Sequence, residues 1–399
     1  MPNPAIAQKV VASDGAAQDW FGSSVAMSGD LAVFGAPDAA IRGNAGQGAV
    51  YVFRRISGVW TQVQKVVSSD GAAFDRFGQQ VALLGQSVLA VAAPNAAVNG
   101  QTWAGAVYIY THDGNTWQQR QKITPSDGSA LGTFGRGIAL SQNYLLVGAG
   151  GAGVNNVHVP GSVYVFRPLA SSSGLWNQIQ KIDAPDPGDD TAFFGYPLAI
   201  SGNTVLVGSY AATVNGNLGQ GAVYVYKLAG NSSTRTAKLV ASDGRARDNF
   251  GVSVTIDGKT AFIGAPGATV HGHVSQGSVY RFEEQGTQWT QAQHLVIHDG
   301  VPISWFGSSV NYQSPTLLVG SYAINAYRGA AYVFGRPNSA APFALQRKLV
   351  ASDAQPGDVF GYFSALDGNT ALVTAWGADI GTKLSQGAAY FYRLGPVDS

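Results

Sequence analysis

One group of side chains in this sequence could bind a metal ion or move protons. His271 and His273 are separated by a single glycine, and His298 is followed directly by Asp299. Imidazole nitrogens and carboxylate oxygens are common zinc ligands, and the same groups serve as general acids and bases. A metal site and a polysaccharide lyase or hydrolase are therefore both open. Either interpretation requires a fold that brings the two pairs together.

A second group consists of aromatic and polar residues suited to stacking on sugar rings and bonding to their hydroxyls. Four other tryptophans share one position of an internal repeat and are expected to be packing residues: Trp60, Trp117, Trp176 and Trp289. The residues of the second group break that repeat, so we predict that they contact a ligand. The alternative is that they pack onto the rim of the fold. The predicted ligand residues are Trp20, Trp103, Trp305, Tyr322, Asn325, Tyr327, Arg328 and Trp376.

Three further candidates follow a recurring Phe-Gly pair, at the point where an innermost strand is expected to begin. They are Arg136, Tyr196 and Tyr362. At this position the side chains should surround the mouth of a central channel. They are predicted to contact a ligand there or to plug the channel.

The elements that must position these residues come from seven copies of one repeat. The Phe-Gly pair recurs every 54–60 residues, and a Gly-Ala-Val-Tyr-like strand follows each copy. The chain is predicted to form one domain over residues 1–399, since repeat folds escape the size limit of a single core. The repeats span approximately 9–64, 65–121, 122–180, 181–237, 238–293, 294–347, and 348–399 together with 1–8.

Each repeat predicts four antiparallel strands and almost no helix. The strand at 48–53 is apolar on both faces and must be covered on both sides. Seven four-stranded sheets that cover one another predict an all-β, seven-bladed β-propeller. The last repeat lacks its fourth strand, whereas residues 5–9 resemble the end of one. The N-terminal strand is therefore predicted to complete the last blade and close the ring.

The segments that link the blades share the pattern Ser-Asp-Gly-x-x-x-Asp-x-Phe-Gly. The first aspartate recurs as Asp14, Asp70, Asp127, Asp243, Asp299 and Asp353. We interpret the pattern as structural: the aspartate caps its turn, the phenylalanine wedges between blades and the glycine permits close approach. The alternative is one carboxylate-lined cation site in each blade.

The Phe-Gly pair followed by Gly-Ala-Pro resembles the FG-GAP repeat of integrin α-subunit propellers and bacterial extracellular proteins. Phe21-Gly22 with Gly35-Ala36-Pro37 carries the resemblance, and so does Phe250-Gly251 with Gly264-Ala265-Pro266. The resemblance implies a secreted or cell-surface location. Integrin-type blades often carry an Asp-rich calcium loop between the first two strands, but the links in this chain are as short as Ser28-Gly29-Asp30. No calcium or other cofactor is therefore expected at that position.

Composition excludes several classes of protein. Apolar residues make up 45% and charged residues 12%, which excludes a disordered chain. The absence of cysteine excludes disulfide frameworks and thiolate sites. A net charge of +1 without basic or acidic runs gives no indication of binding to nucleic acid or an anionic membrane. No apolar stretch is long enough for a membrane span, and the N-terminus lacks a basic, apolar signal.

Long and dissimilar loops between the second and third strands emerge on the same face as the blade links. Variable loops on one face of a rigid ring are typical of recognition. We therefore predict a non-catalytic module that binds carbohydrate or a glycoprotein through this face. A polysaccharide-degrading enzyme on the same face and a protein–protein adhesion scaffold are the alternatives, and the oligomeric state is not predicted.

Overall fold

The sequence folds into the predicted seven-bladed β-propeller. The structure is a computed structural model that describes residues 6–128, 131–150, 161–169, 174–185 and 193–395. Its strands form seven four-stranded antiparallel sheets, one for each blade. Within the described residues, no helix has the length and apolar character needed to cross a membrane.

The strands of each blade follow one another from the innermost to the outermost. Blade 1 contains β2 (Ser24–Ser28), β3 (Leu31–Ala36), β4 (Ala49–Ile56) and β5 (Val59–Val66). Blade 2 contains β6 (Gln80–Leu84), β7 (Val88–Ala93), β8 (Ala106–His112) and β9 (Trp117–Ile123). Blade 3 contains β10 (Phe134–Leu140), β11 (Leu145–Ala149), β12 (Ser162–Pro168) and β13 (Trp176–Asp183). Blade 4 contains β14 (Leu198–Ser201), β15 (Thr204–Ser209), β16 (Ala222–Ala229) and β17 (Ser232–Leu239).

The remaining three blades have the same order. Blade 5 contains β18 (Ser253–Asp257), β19 (Thr260–Ala265), β20 (Ser278–Gln285) and β21 (Gln288–Leu295). Blade 6 contains β22 (Phe306–Gln313), β23 (Thr316–Ser321), β24 (Ala330–Gly335) and β25 (Ala344–Leu349), with the short turn α1 (Ile324–Tyr327) between β23 and β24. Blade 7 contains β26 (Ser364–Asp367), β27 (Thr370–Ala375), β28 (Ala388–Arg393) and, from the N-terminus, β1 (Ile6–Val10).

The prediction that the N-terminal strand closes the ring is confirmed. β1 pairs antiparallel with β28, with Lys9 opposite Tyr390 and Val10 opposite Ala389. The inner strands of neighbouring blades contact one another around the channel, and β26 against β2 completes the circle. Because its ends meet within one sheet, the ring leaves no half-finished blade.

Close backbone contacts explain why glycine occupies the repeated positions. A Cβ atom on Gly35 of blade 1 would lie 1.9 Å from the carbonyl oxygen of Gly78, which belongs to the Phe-Gly pair of blade 2. The Ser24 hydroxyl donates to that same oxygen at 2.7 Å. Phe77, the partner of Gly78, is fully buried, as a wedge between blades requires. The pattern is therefore the joint between blades, as the structural interpretation predicts.

Glutamines on four of the outer strands join a blade to the next one. The Gln8 side chain accepts a hydrogen bond from the Trp60 N–H and donates one to the Trp60 carbonyl, both at 2.7 Å. Gln64 bonds in the same way to Trp117, Gln121 to Trp176 and Gln293 to Phe343. Blade 4 has Ala237 at this position, opposite Val225 as Gln64 is opposite Val52. The joint between blades 4 and 5 therefore lacks this pair of bonds.

Replacing one of these glutamines should cost measurable stability. We expect Gln121→Ala to lower the free energy of unfolding by about 1–2 kcal/mol, because the Trp176 backbone N–H and carbonyl lose their partner in a half-buried seam. Urea unfolding measures the change. Gln118→Ala is the matched control: Gln118 lies on the same strand, is exposed, and donates to its near neighbour Thr116. Equal losses in the two variants would contradict the bridging role.

Candidate functional site

Five of the predicted ligand residues form a continuous chain of rings at the mouth of the channel. Neighbouring ring centroids are 5.4 Å apart for Trp20 and Trp376, and 6.0 Å apart for Trp376 and Tyr362. Tyr362 lies 4.5 Å from Tyr322, which lies 5.1 Å from Trp305. We call these five residues the aromatic arc. The arc joins blades 6, 7 and 1, which are contiguous in the closed ring.

The arc is built by departures from the repeat at fixed backbone positions. Tyr322 and Trp376 take the place of the proline in Gly-Ala-Pro. Trp20 and Trp305 precede the Phe-Gly pair and have left-handed backbones, with φ of 57° and 53°. The same position is left-handed in other blades, at Arg76, Thr133, Asn249 and Val359. The left-handed conformation is therefore a general feature of the repeat. Only the tryptophan side chains distinguish Trp20 and Trp305 from the residues at the same position in the other blades.

The arc borders a cavity of about 630 Å³ near the ring axis. Trp305, Tyr322 and Tyr362 line one part of the cavity, and Tyr196 and Tyr210 of blade 4 line another. Blade 4 lies across the ring from blades 7 and 1. A volume of this size suits a ligand of a few sugar units, since small-molecule sites span roughly 300–1,000 Å³.

Neutral polar groups line the cavity between the aromatic walls. The Asn311 amide donates to the Ser364 hydroxyl at 2.8 Å, and Ser309 lies 3.1 Å from the same hydroxyl. The Ser308 hydroxyl is buried without a hydrogen-bond partner among the described residues. Arg247 is the one charged side chain among the described residues of the lining. The cavity therefore offers stacking surfaces and uncharged hydrogen-bonding groups.

The cavity tyrosines remain protonated at neutral pH. Burial raises the pKa of Tyr196, and the phenols of Tyr362 and Tyr210 raise it further while Arg136 opposes them. Burial also raises the pKa of Tyr322 and of Tyr362. Their hydroxyls can therefore both donate and accept hydrogen bonds.

The other predicted ligand residues lie around this cavity or away from it. Tyr327 is 6.3 Å from Tyr322, and Asn325 and Arg328 flank it as exposed residues. Arg136 lies close enough to Tyr196 to affect its pKa but is not part of the lining. Trp103 is 42% exposed in the loop of blade 2 and does not line the cavity.

Sequence reasoning missed several lining residues. Tyr210 replaces the same proline as Tyr322 and Trp376, so its signal was present in the sequence. Asn311 stands where the inner strands of blades 1 and 2 have Ala26 and Ala82, which is a second departure from the repeat. Ser309 and Ser364 gave no such signal.

Comparison with known sequences confirms the resemblance. The model of the FG-GAP repeat matches seven segments: residues 6–53, 60–110, 117–166, 176–226, 233–282, 289–334 and 343–392. The chain belongs to the FG-GAP repeat family. Each matched segment begins in or directly before the outer strand of one blade and ends in the third strand of the next.

Comparison with solved structures shows a similarity of fold only. The chain is similar to Sqt1 of Saccharomyces cerevisiae, with 10% sequence identity and a TM-score of 0.50, over 99% of this chain and 100% of that one. No curated protein matches the sequence.

In this FG-GAP protein the repeated aspartates of the links hold the blades together. Asp70 accepts hydrogen bonds from the Tyr108 hydroxyl at 2.8 Å and from Lys122 at 2.6 Å. Burial raises the pKa of the Asp70 carboxyl, but these hydrogen bonds and the Lys122 charge outweigh it and the net pKa is lowered. The second aspartate of the pattern, Asp75, accepts the Ala72 N–H at 2.8 Å and so caps the turn. The first aspartate therefore bridges two strands, rather than only capping its own turn as expected.

The proposed histidine site is not assembled. His273 Nδ1 lies 3.1 Å from both the Gly300 carbonyl and the Gln276 side chain. Asp299 is bonded to Tyr332 and, at 2.6 Å, to Lys348. In the part of the chain that the structure describes, no three His, Asp or Glu side chains form a group that could hold a metal ion, so His271, His273, His298 and Asp299 do not form one.

Blade 5 replaces the bridging lysine by His294, which should make its stability depend on pH. The His294 ring stacks on Tyr280 at 4.6 Å and its Nδ1 is 3.6 Å from Asp243. Burial lowers the pKa of His294, with His271 adding to the effect and Asp243 opposing it. Since the folded state disfavours the protonated ring, stability should fall as the pH drops below about 6.5.

We expect His294→Lys to restore the bridge of the other blades. The free energy of unfolding of the variant should be higher by about 0.5–1 kcal/mol at pH 5.5. It should also lack the decrease at low pH that His294 causes in the original protein. Urea unfolding between pH 5 and 8 measures this. Curves for the two proteins that stay parallel across this range would contradict the assignment.

Proposed function

We propose that the protein is a non-catalytic recognition module that binds neutral sugar units of a glycan or glycoprotein in the cavity. The observation that carries the proposal is the pairing of aromatic walls with uncharged polar groups in one enclosure. Sugar rings present apolar C–H faces to aromatic rings and hydroxyls to amide, serine and tyrosine groups. A glycan ligand implies action outside the cell or at its surface, and we propose that location with it.

The lining favours binding over acid–base catalysis. Among its described residues there is no Asp, Glu or His, whereas glycoside hydrolysis ordinarily uses a pair of carboxylates. The Trp376 Nε1 group, next to Tyr362 in the arc, is buried without a hydrogen-bond partner among the described residues. Because this group is shielded from solvent and Trp376 is not part of the lining, Trp376 supports the site through the packing of its ring on Tyr362.

The test is a broad glycan and polysaccharide array probed with the purified protein, with and without a chelator. We expect selective, chelator-independent binding. Trp305→Ala should weaken it by about tenfold, because one stacking face is worth roughly 0.5–1.5 kcal/mol beyond its buried area. Trp376→Ala should weaken it less, because Trp376 is not part of the lining and acts through its packing on Tyr362. Trp103→Ala, on the same face but outside the cavity, is the matched control and should bind normally.

A blank array would overturn the proposal. Equal losses in the Trp103 variant and the two arc variants would also overturn it, since binding would then not be centred on the cavity.

A further inference from the structure

The cavity is enclosed by the ring and is not a groove across its surface. Its described lining comes from six of the seven blades. Val25 of blade 1 and Gln80 of blade 2 lie across the channel from Leu198 of blade 4 and Val252, which precedes the inner strand of blade 5. Neighbouring inner strands contact one another around the whole circle. A ligand in the cavity is therefore surrounded by inner strands on all sides of the axis.

The two ends of the channel differ in chemistry. The inner strands run from the loop face, which carries the blade links and the long loops, to tight turns such as Gly29-Asp30 on the far face. The sixth residue after the phenylalanine of each Phe-Gly pair lies toward the far face, and it is large and mainly apolar in all seven blades. None of these seven residues lines the cavity. Five of them are partly exposed: Met27, Leu83, Leu140, Ile200 and Leu366.

A sugar chain therefore has one favourable way in. From the loop face it meets the aromatic arc and then the polar group of Ser309, Asn311 and Ser364. Closer to the far face it would meet side chains that cannot replace the water bonded to its hydroxyls, which costs free energy. The loop face is thus the entrance, and the far end of the channel is a poor exit.

This geometry distinguishes the end of a glycan from its middle. An internal unit carries chain on both sides, so a site that holds it must let the chain leave in two directions. A terminal unit carries chain on one side only, and one opening is enough. A volume of about 630 Å³ suits a few sugar units rather than a long segment.

We propose that the cavity receives the end of a neutral glycan chain, or the tip of a branch, and does not bind internal units. The terminal units enter from the loop face while the rest of the glycan stays outside the ring. The inference rests on the proposed function, because it takes the cavity as a sugar site, and it adds which part of a glycan is recognised.

A series of chain lengths tests the inference with the whole protein. The probes are linear neutral polysaccharides that bind in the array, such as dextran, pullulan or galactan, each in size fractions and as its own trisaccharide. Isothermal titration gives the Kd of each fraction. If only chain ends bind, the mass concentration needed for half-saturation should rise about tenfold when the chain is tenfold longer, because the Kd per mole of chains stays the same.

Two substitutions distinguish a chain that ends in the cavity from one that threads through the channel. Ser308→Tyr places a ring in the cavity, and tyrosine already stands at this repeat position as Tyr196 and Tyr362. Met27→Trp fills the far end instead. We expect Ser308→Tyr to weaken trisaccharide binding about tenfold or more, because it occupies the space of the ligand. Met27→Trp should change the Kd by less than about twofold.

Thermal unfolding confirms that both variants are folded, and Leu83→Trp replaces Met27→Trp if that variant is not. A half-saturating mass concentration that is the same for polymer and trisaccharide would show that internal units bind. That result would overturn the inference and leave the sugar site intact. Equal losses in the mouth and far-end variants would also overturn it, since the chain would then pass through the channel. An array without any bound glycan would overturn the proposed function, and this inference with it.

Discussion

A chain that lacks residues 1–10 should fail to form a stable closed ring. Their removal leaves β28 as an unpaired edge and abolishes the Lys9–Asp353 ion pair at 2.6 Å. It also removes both hydrogen bonds between Gln8 and Trp60, whose indole stacks on Phe391 at 4.1 Å. We expect a loss of about 5 kcal/mol or more, which is comparable with the whole stability of many domains. An unpaired β28 should in addition promote association between chains.

Thermal unfolding and size-exclusion chromatography measure these effects. A chain that lacks only residues 1–5 keeps β1 and is the control, and it should unfold as the full chain does. Unchanged unfolding temperature and elution after removal of residues 1–10 would show that the ring does not depend on this strand.

Gly264→Ala should be severely damaging although it adds only one methyl group. A Cβ atom on Gly264 would lie 2.0 Å from the Gly307 carbonyl oxygen and 2.3 Å from the Ser253 hydroxyl. That hydroxyl donates to the same carbonyl at 2.7 Å, so neither neighbour can move without loss. We expect about 3 kcal/mol or more of destabilisation, because backbone on both sides of a packed joint must shift.

Gly128→Ala is the matched control for this substitution. Its Cβ would meet Pro125 at 3.1 Å, which a small shift of one ring relieves. Neither glycine has a positive φ, so the comparison isolates steric contact from backbone preference. Urea unfolding should show a small change for Gly128→Ala. A change of similar size in Gly264→Ala would contradict the view that Gly-Ala-Pro glycines exist for close approach.

The architecture could be predicted because the same packing arrangement, built on the Phe-Gly pair, is repeated seven times. Each Phe-Gly pair places a fully buried ring against the tyrosine of its own blade, as Phe77 does against Tyr108 at 5.4 Å. The glycine of each Gly-Ala-Pro segment then leaves room for the backbone of the next blade to pack against it. The incomplete last repeat and the extra N-terminal strand were enough to predict how the ring closes.

The site could be predicted only in part, because spacing along the chain does not give distance from the axis. Trp103 and Trp305 both break the repeat, yet Trp305 lines the cavity and Trp103 stands on the outer loop. Tyr210 was overlooked although it occupies the proline position that Tyr322 and Trp376 share. Asp70 was expected to cap its own turn, but its partners Tyr108 and Lys122 come from strands that only the sheet brings beside it.

We propose that the ring has one ligand site, built where the repeat is broken, rather than one site in every blade. Isothermal titration with the soluble oligosaccharide that gives the strongest array signal tests this directly. We expect one site for each chain, with binding weakened in Trp305→Ala. Several equivalent sites for each chain, unaffected by that substitution, would contradict it and return the repeated link segments to consideration as the binding sites.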